Sequence, residues 1–464
     1  MKKAARRGAK SVMISAHLAG GDCLNVGCVP SKALIRSAKM IREVKKAQSS
    51  NNEFGIKIKG EVEVDFLQIM KRMRKLRAQI APVDGHALGT NIGVTVLQGF
   101  GRFVDEKTVE VVQPGSSETR SLLRFKKAVI ATGGRASIVP NIPGLSDSPY
   151  TTNETLFNLS KLPPRMVILG SGVIALEMAQ TFSTFGTKVT VLVRGENLFP
   201  RADPDVGPMM KRVLAEDGVT FLTNSKITQV ETLKVPSDEA DLPLMKVSIK
   251  SGNENIELDC ECLLVAAGRA PNVENLNLEA ANVQYDLKEG IIVNDFAQSA
   301  SNPNVYAVGD CTAGVPRLTH MSGEMAKVVV QNSLFDDEWR LSSLVVPACM
   351  YTEPEYASVG IVNANSDEVD IYTASLEHND RAILESDNDY GYAKVFCKKG
   401  TGTIVGCTIV ASRAGEIINE VTLAMKHGVP LEGIGRNIHS YPTTGEAVMM
   451  CGLQLINSKW KRLD

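Results

Sequence analysis

The sequence predicts an α/β protein of roughly three domains, and three observations support that prediction. The chain has 464 residues, a length that ordinary domain sizes divide into about three units. An apolar strand, a glycine turn and a helix follow one another from Met166 to Gln180, a succession typical of a Rossmann-like dinucleotide-binding domain. Two cysteines, Cys23 and Cys28, precede another helix-favouring run.

The cysteine pair predicts redox chemistry. Pro30 suits the first turn of a helix, so Cys28 is expected at a positive helix end, where a thiolate is favoured over a thiol. Lys32 adds positive charge, and Gly27 allows the chain to fold back so that the two sulfurs can meet. A static disulfide, or two unrelated buried thiols, is the alternative for such a pair.

Composition excludes several function classes. The formal net charge is −1, with 51 basic and 52 acidic residues, so neither a nucleic acid nor an anionic membrane is indicated as a partner. Charges, glycines or prolines interrupt every apolar run before it reaches a membrane-spanning length. Nine cysteines, an odd number in a long chain, favour a reducing compartment, either the cytoplasm or an organelle matrix.

The glycine turn predicts a nicotinamide nucleotide site. Gly170 permits a tight turn, Gly172 lets a pyrophosphate approach the backbone, and Ala175 permits close packing of helix on strand. The next strand, 188–193, ends without the acid that would bind a ribose 2′-hydroxyl. Arg194 and Arg201 follow instead, which favours NADPH over NADH. Arg194 as an ordinary exposed arginine is the alternative.

Hydrophobic periodicity assigns the remaining elements of the first half. Apolar spacing predicts a helix from Asp65 to about Ala87 and short strands at 11–15, 54–58, 94–97, 108–112 and 127–131. Cys260 and Cys262 lie in a strand-like run without further ligands, so no metal site is expected there.

The segment GGDCLNVGCVPSK, 20–32, resembles the active site of the pyridine nucleotide-disulfide oxidoreductases, which include dihydrolipoamide dehydrogenase, glutathione reductase and mercuric reductase. The resemblance extends over nearly all of the chain. It implies two Rossmann-like dinucleotide-binding domains, one for FAD and one for NAD(P), plus a C-terminal α+β dimerisation domain. The implied division is 1–148 and 286–343 for the FAD domain, 149–285 for the NAD(P) domain, and 344–464 for the interface domain.

The resemblance also assigns site residues. It pairs Glu177 with Lys32 beside the reactive face of the flavin, and it places Asp310 on the ribityl hydroxyls with Gly309 allowing close approach. The other positions that it puts near the cofactors are Thr132 and Gly133 on the flavin side and Gly268 and Arg269 on the nicotinamide side.

Two departures from the family concern the first flavin-binding unit. A strand and a Gly-x-Gly-x-x-Gly turn are expected before the strand at 11–15, and this sequence contains neither. Ser15 stands where the family usually has a glutamate for the adenosine ribose. We interpret the start of the chain as a shortened gene model or isoform. Because the missing strand and glycine turn would contact FAD, we expect FAD binding to be the property most affected.

A third departure concerns the C-terminal motif, which is His-Pro-Thr-x-x-Glu in relatives. Tyr441 stands at the histidine position, Glu446 is retained, and His439 lies two residues earlier. A phenol, with a reference pKa of about 10, is a poor base near neutral pH. Tyrosine here resembles the mercuric reductase branch, although the vicinal cysteine pair of those enzymes is replaced by Cys451 alone. The interface domain implies a homodimer.

These expectations combine into one hypothesis and its alternatives. The hypothesis is an enzyme that passes electrons from NADPH through FAD to the Cys23–Cys28 pair, and from Cys23 to a small thiol-linked, metal or quinone acceptor. The alternatives are a catalytically silent homologue that dimerises through its C-terminal domain, and a module that binds nicotinamide nucleotide without turnover.

Overall fold

The computed structural model describes residues 1–48, 54–113, 120–137, 142–238, 241–335, 337–364, 367–387 and 389–460. Helices and strands alternate through the first two thirds of the chain, and an antiparallel sheet with helices forms the last third. None of the described helices combines the length and apolar character needed to cross a bilayer.

The first segment contains five helices and seven strands. They are α1 (Lys2–Ala5), β1 (Ser11–Ser15), α2 (Gly21–Val26), α3 (Cys28–Gln48), α4 (Phe66–Ile80), α5 (His86–Asn91), β2 (Val94–Gln98), β3 (Phe100–Asp105), β4 (Thr108–Val112), β5 (Arg120–Arg124), β6 (Ala128–Ile130) and β7 (Gly134–Ala136).

The second segment is built around a four-stranded parallel sheet, β10-β9-β8-β14, and a three-stranded antiparallel sheet, β11-β12-β13. Its elements are α6 (Asn153–Leu156), β8 (Arg165–Leu169), α7 (Val173–Phe185), β9 (Lys188–Leu192), α8 (Val206–Glu216), β10 (Thr220–Leu222), β11 (Ser225–Lys234), β12 (Leu244–Ser251), β13 (Glu254–Cys260), β14 (Cys262–Val265) and β15 (Arg269–Pro271).

The chain then returns to the first segment, because β18 pairs in parallel with β6. The elements of this return are β16 (Tyr285–Asp286), β17 (Gly290–Ile291), β18 (Val305–Ala307) and α9 (Thr319–Phe335).

The last segment is a five-stranded antiparallel sheet, β19-β20-β23-β22-β21, covered by helices. Its elements are β19 (Ala348–Met350), β20 (Glu355–Gly360), β21 (Val369–Ser375), α10 (Asp380–Leu384), β22 (Tyr392–Lys398), β23 (Ile404–Ala411), α11 (Ala414–His427), α12 (Leu431–Arg436) and α13 (Glu446–Ser458).

The largest core lies where α3 and α4 pack against α7. Leu34 of α3, Met70 and Met73 of α4 and Phe182 of α7 are completely buried there. Strand β8 is buried on both faces, as expected for a central parallel strand. This core fixes the first turn of α3 beside α7.

The parallel strands of the first segment form two separate pairs. Strand β1 pairs with β2, and β6 pairs with β18, which also bridges the 297–299 segment on its other side. Within the described ranges, β1 and β6 therefore each have one edge without a ladder partner.

Two of the predicted elements were wrong. The run at 54–58 forms no strand, Phe54 and Ile56 are exposed, and none of the strands in the described ranges pairs with this run. The helix expected from Asp65 to Ala87 ends at Ile80, where a short 3₁₀ turn containing Pro82 follows, and a separate helix begins at His86.

Candidate functional site

The two cysteines lie where α2 ends and α3 begins. Cys23 is in α2, Cys28 is the first residue of α3, and Gly27 separates the two helices. A Cβ on Gly27 would lie only 2.9 Å from the carbonyl oxygen of Asp22, so this reversal of the chain needs a glycine. Both thiols are free, and they are hydrogen-bonded to each other.

The two thiols have opposite acidities. The hydrogen bond from Cys23 is the largest influence on Cys28 and, with the Thr319 hydroxyl and the charge of Lys32, lowers the pKa of Cys28 to about 5. The Sγ of Cys28 lies 3.5 Å from the Oγ1 of Thr319. The same hydrogen bond, together with burial, raises the pKa of Cys23. In the reduced pair a thiolate is therefore favoured on Cys28 over Cys23.

An ion pair connects α3 to α7 next to this thiolate. The Nζ of Lys32 lies 2.8 Å from one carboxylate oxygen of Glu177 and 3.0 Å from the other. Glu177 is only 3% exposed. Glu177 is therefore a buried carboxylate and not part of the solvent-exposed face of α7.

Tyr351 completes the ion pair and was missed by the sequence analysis. Its backbone N–H donates to Glu177 over 3.0 Å, and the Nζ of Lys32 lies 4.4 Å from the centre of its ring. Burial raises the pKa of Tyr351 to about 12, so its phenol stays neutral. No local pattern marks this residue, because it follows β19 and lies far from Lys32 in sequence.

Arg269 joins the cysteine helix to the second flavin motif. Its guanidinium donates to Asp310 over 3.1 Å, to Asp22 over 2.5 Å and to the carbonyl of Gly134 over 3.0 Å. Sequence reasoning assigned Arg269 to the nicotinamide side and did not consider Asp22. The structure brings Arg269 and Asp310 together through their side chains.

Three glycines near this cluster have left-handed backbone conformations, with φ of 72° at Gly133, 142° at Gly268 and 77° at Gly309. A Cβ on Gly309 would lie 2.8 Å from the hydroxyl of Ser322, whereas a Cβ on Gly133 would meet no atom within 4 Å. Thr132 donates its hydroxyl to the Asn272 carbonyl over 2.6 Å. Open space therefore lies over Gly133.

The second glycine turn has the geometry expected of a dinucleotide site. Gly170 has φ of 120°, and a Cβ there would lie 2.4 Å from the carbonyl oxygen of Ala266. Gly172 precedes α7 and has no atom within 4 Å of an added Cβ, while Ala175 is completely buried. Arg194 and Arg201 are exposed beyond the end of β9, and neither side chain has a partner among the described residues.

The C-terminal candidates lie together on the last segment. Tyr441 donates its hydroxyl to Asp380 over 2.7 Å, which raises the pKa of the phenol. The Nε2 of His439 lies 3.1 Å from Glu420, and Glu446 accepts from the backbone N–H of Thr443 over 2.9 Å.

These contacts stay within the last segment. Tyr441 is 72% exposed, beside a groove of about 340 Å³. None of the described contacts of Tyr441, His439 or Glu446 is with the cysteine pair of the same chain.

No group of three or more histidines, cysteines, aspartates and glutamates is arranged to hold a metal ion in the described ranges. Cys260 and Cys262 are buried in β13 and β14, and burial raises their pKa values to about 12.

We expect Cys28 in the reduced protein to react with iodoacetamide at a nearly constant rate from pH 8 down to pH 6, and more slowly as the pH falls through about 5. The sign follows from the lowered pKa: above it the residue is a thiolate, and below it a thiol. Mass spectrometry of the alkylated peptides would give the profile for each cysteine. A Cys28 profile that rises only near pH 8 to 9 would contradict the assignment.

Comparisons with known proteins agree with this site. The family model for pyridine nucleotide-disulphide oxidoreductases matches residues 1–326, and the model for the dimerisation domain of the same family matches residues 346–450. A mercuric reductase from Lysinibacillus sphaericus is 32% identical over 99% of this chain and 80% of its own length. A dihydrolipoyl dehydrogenase from Geobacillus stearothermophilus is 31% identical over 96% of this chain and 91% of its own length.

A solved structure of similar fold is the HOCl-induced flavoprotein disulfide reductase RclA from Escherichia coli. It has a TM-score of 0.81 and 24% identity, over 96% of this chain and 94% of that one. The predicted fold class is confirmed, as is the resemblance identified from the cysteine segment. The chain belongs to the pyridine nucleotide-disulphide oxidoreductases, a family of flavoproteins that use FAD and NAD(P)H.

Proposed function

We propose that this protein passes electrons from NADPH, through bound FAD, to the Cys23–Cys28 pair, and from Cys23 to a small thiol-linked, metal or quinone acceptor. The observation that carries the proposal is the placement of the pair: Cys23 lies in α2, and Cys28 begins α3 beside the Lys32–Glu177 ion pair. Such a pair suits two-electron exchange between dithiol and disulfide.

The residues present fit the flavin end of FAD. The open space over Gly133 leaves room for a ligand, and Thr132, Gly309 and Asp310 border the same region. Lys32 would lie at the reactive face. When bound, FAD would accept hydride from NADPH and reduce the Cys23–Cys28 disulfide.

The cysteines themselves carry the exchange with a disulfide acceptor. A proton moves from Cys23 to Cys28, and the Cys23 thiolate attacks one acceptor sulfur, which breaks the acceptor disulfide and releases one thiol. Cys28, which has given its proton to that first thiol, attacks the Cys23 sulfur and reforms the Cys23–Cys28 disulfide. The second acceptor sulfur leaves as a thiolate and takes a proton from solvent. The acceptor gains two electrons and the pair loses two.

Tyr441 is not the base in this proposal. Its hydroxyl already donates to Asp380, and this contact raises its pKa. A neutral phenol at an exposed position can still accept a hydrogen bond or contact a metal or quinone acceptor through its oxygen, which is compatible with a mercuric reductase-like function. The dimerisation-domain match supports a homodimer, in which Tyr441, His439 and Glu446 would face the cysteine pair of the other copy.

The domain division is part of the same proposal: an FAD domain from 1–148 and 286–343, an NAD(P) domain at 149–285 and an interface domain at 344–464. Pairing of β6 with β18 supports the return of the chain to the FAD domain. All nine cysteines are free thiols, which supports a reducing compartment.

Replacing Arg194 with glutamate should lower kcat/KM for NADPH about tenfold to a hundredfold and change that for NADH much less, because a carboxylate repels the 2′-phosphate. Steady-state kinetics with both nucleotides would measure the ratio. Lys188→Glu, an exposed change at the start of β9, is the control for added negative charge. An unchanged ratio in Arg194→Glu would contradict the NADPH assignment.

The separate strand pairs β1-β2 and β6-β18 favour a second candidate, a homologue that binds nicotinamide nucleotide without turnover. Titration with FAD distinguishes the two. We expect the purified chain to hold FAD with absorption near 450 nm, and NADPH to bleach this band without oxygen. If excess FAD leaves no bound flavin while NADPH still binds, the second candidate is correct.

A further inference from the structure

The exposed arginines proposed to bind the NADPH phosphate lie on a loop, 193–205, between β9 and α8. Backbone hydrogen bonds fix its first residue, since Val193 donates to the carbonyl of Leu222 over 2.8 Å. Arg201 lies near the other end, two residues before Asp203. The contacts that hold that end of the loop therefore determine the position of Arg201.

The far end of the loop is held by the interface domain. Lys394, in the middle of β22, donates to Asp203 over 2.8 Å and to Asp205 over 2.6 Å. Asp203 is 1% exposed and Lys394 is 9% exposed, so this contact is buried. The residues are about 190 positions apart in sequence, and the contact joins two domains.

Asp203 also organises the chain around it. One of its carboxylate oxygens accepts the backbone N–H of Asp205 over 3.1 Å, immediately before α8 begins. Because this carboxylate is almost completely buried, its charge needs Lys394 as a partner. Without Lys394 the loop would have to move to return Asp203 to water.

A second contact from the interface domain supports the same loop. The ring of Phe199 packs against Tyr356 of β20 with 5.7 Å between ring centres. Phe199 has φ of 52°, so the chain is turned sharply here. The loop therefore rests on β20 and β22, while Arg194 and Arg201 stay exposed.

We propose that Lys394 is a positioning residue for the recognition of the NADPH 2′-phosphate: through Asp203 and Asp205 the interface domain holds the end of the loop that presents Arg201. The inference rests on the proposed function, in which Arg194 and Arg201 contact that phosphate. It assigns part of the choice of nucleotide to a domain that does not touch the nucleotide.

The test measures binding of two small probes by calorimetry, adenosine 2′,5′-bisphosphate and 5′-AMP, which lacks the 2′-phosphate. We expect wild type to bind the bisphosphate more tightly, and Lys394→Met to lose about tenfold of that preference with 5′-AMP affinity nearly unchanged. Lys398→Met, an exposed lysine at the end of the same strand, should behave as wild type. The assay needs neither turnover nor flavin.

A milder variant covers the case in which Lys394→Met does not fold. Asp205→Asn removes only one of the two carboxylates, at a residue whose side chain is 64% exposed, and should reduce the preference about threefold. The positioning role is wrong if a folded Lys394→Met or Asp205→Asn keeps the full preference for the bisphosphate, or if its affinities for both probes fall equally. The proposed function would then still stand. If wild type itself has no preference, both are wrong.

Discussion

Replacing Cys23 with serine is expected to reduce turnover of a disulfide acceptor by about a thousandfold or more, while reduction of a quinone by NADPH continues. The reason is that the two sulfurs have different chemical roles. The lowered pKa of Cys28 makes it the stabilised thiolate, whereas the proposed function assigns the attack on the acceptor to Cys23. A serine hydroxyl cannot form the mixed disulfide.

Stopped-flow and steady-state assays with one disulfide and one quinone would separate the two reactions. Cys349→Ser is the matched control, because Cys349 is a partly buried thiol whose Sγ lies 4.0 Å from Glu355 and which has no described hydrogen bond to Cys23 or Cys28. Equal losses of both activities in Cys23→Ser would indicate a structural defect. If Cys23→Ser retains both activities in full, the cysteine pair does not carry the electrons.

Replacing Lys32 with methionine is expected to have two separable effects. The first is on stability: the buried Glu177 loses its ion-pair partner, and the free energy of unfolding should fall by about 2 to 3 kcal/mol, less than for a fully buried pair because the Lys32 side chain is 35% exposed. The second is on acidity: loss of the positive charge raises the pKa of Cys28, so less thiolate is present at pH 6.

Chemical denaturation measures the first effect and the pH profile of Cys28 alkylation the second. Lys39→Met is the control, because Lys39 lies on the same helix and pairs with Glu353 over 2.5 Å, away from the thiolate. It should lower stability without moving the profile, and Lys32→Arg should restore the profile. If Lys32→Met leaves the profile at about 5, the lysine charge does not set the acidity of Cys28.

The parts predicted from sequence were those with a local cause. The position of Cys28 at a helix start follows from Pro30 and the residues after it, and the turn at Gly170 follows from a strand, glycines and a helix in immediate succession. The sheet β11-β12-β13 was missed although its alternation was available: Met245, Val247 and Ile249 are buried at every second position.

The parts that could not be predicted depend on contacts between distant elements. Tyr351 reaches Glu177, Asp22 reaches Arg269, and Lys394 reaches Asp203, each across more than 150 residues. No periodicity or spacing encodes such contacts, since each needs the packed positions of two domains or segments. The prediction of a strand at 54–58 was wrong for a related reason. Apolar alternation produces a strand only where another strand lies alongside to form backbone hydrogen bonds, and no described strand does so here.

Among the strands that the structure describes, β1 and β6 each have one edge without a ladder partner, and these edges bear on how this polypeptide behaves in concentrated solution. Free backbone donors and acceptors along a strand are a template for augmentation by another extended chain, and exposed Val12 and Val129 add apolar surface to these two strands. Association there would be open-ended, unlike a closed two-fold dimer, and would produce species larger than two copies. Light scattering as a function of concentration would register this growth, and an added peptide that caps either edge should suppress it.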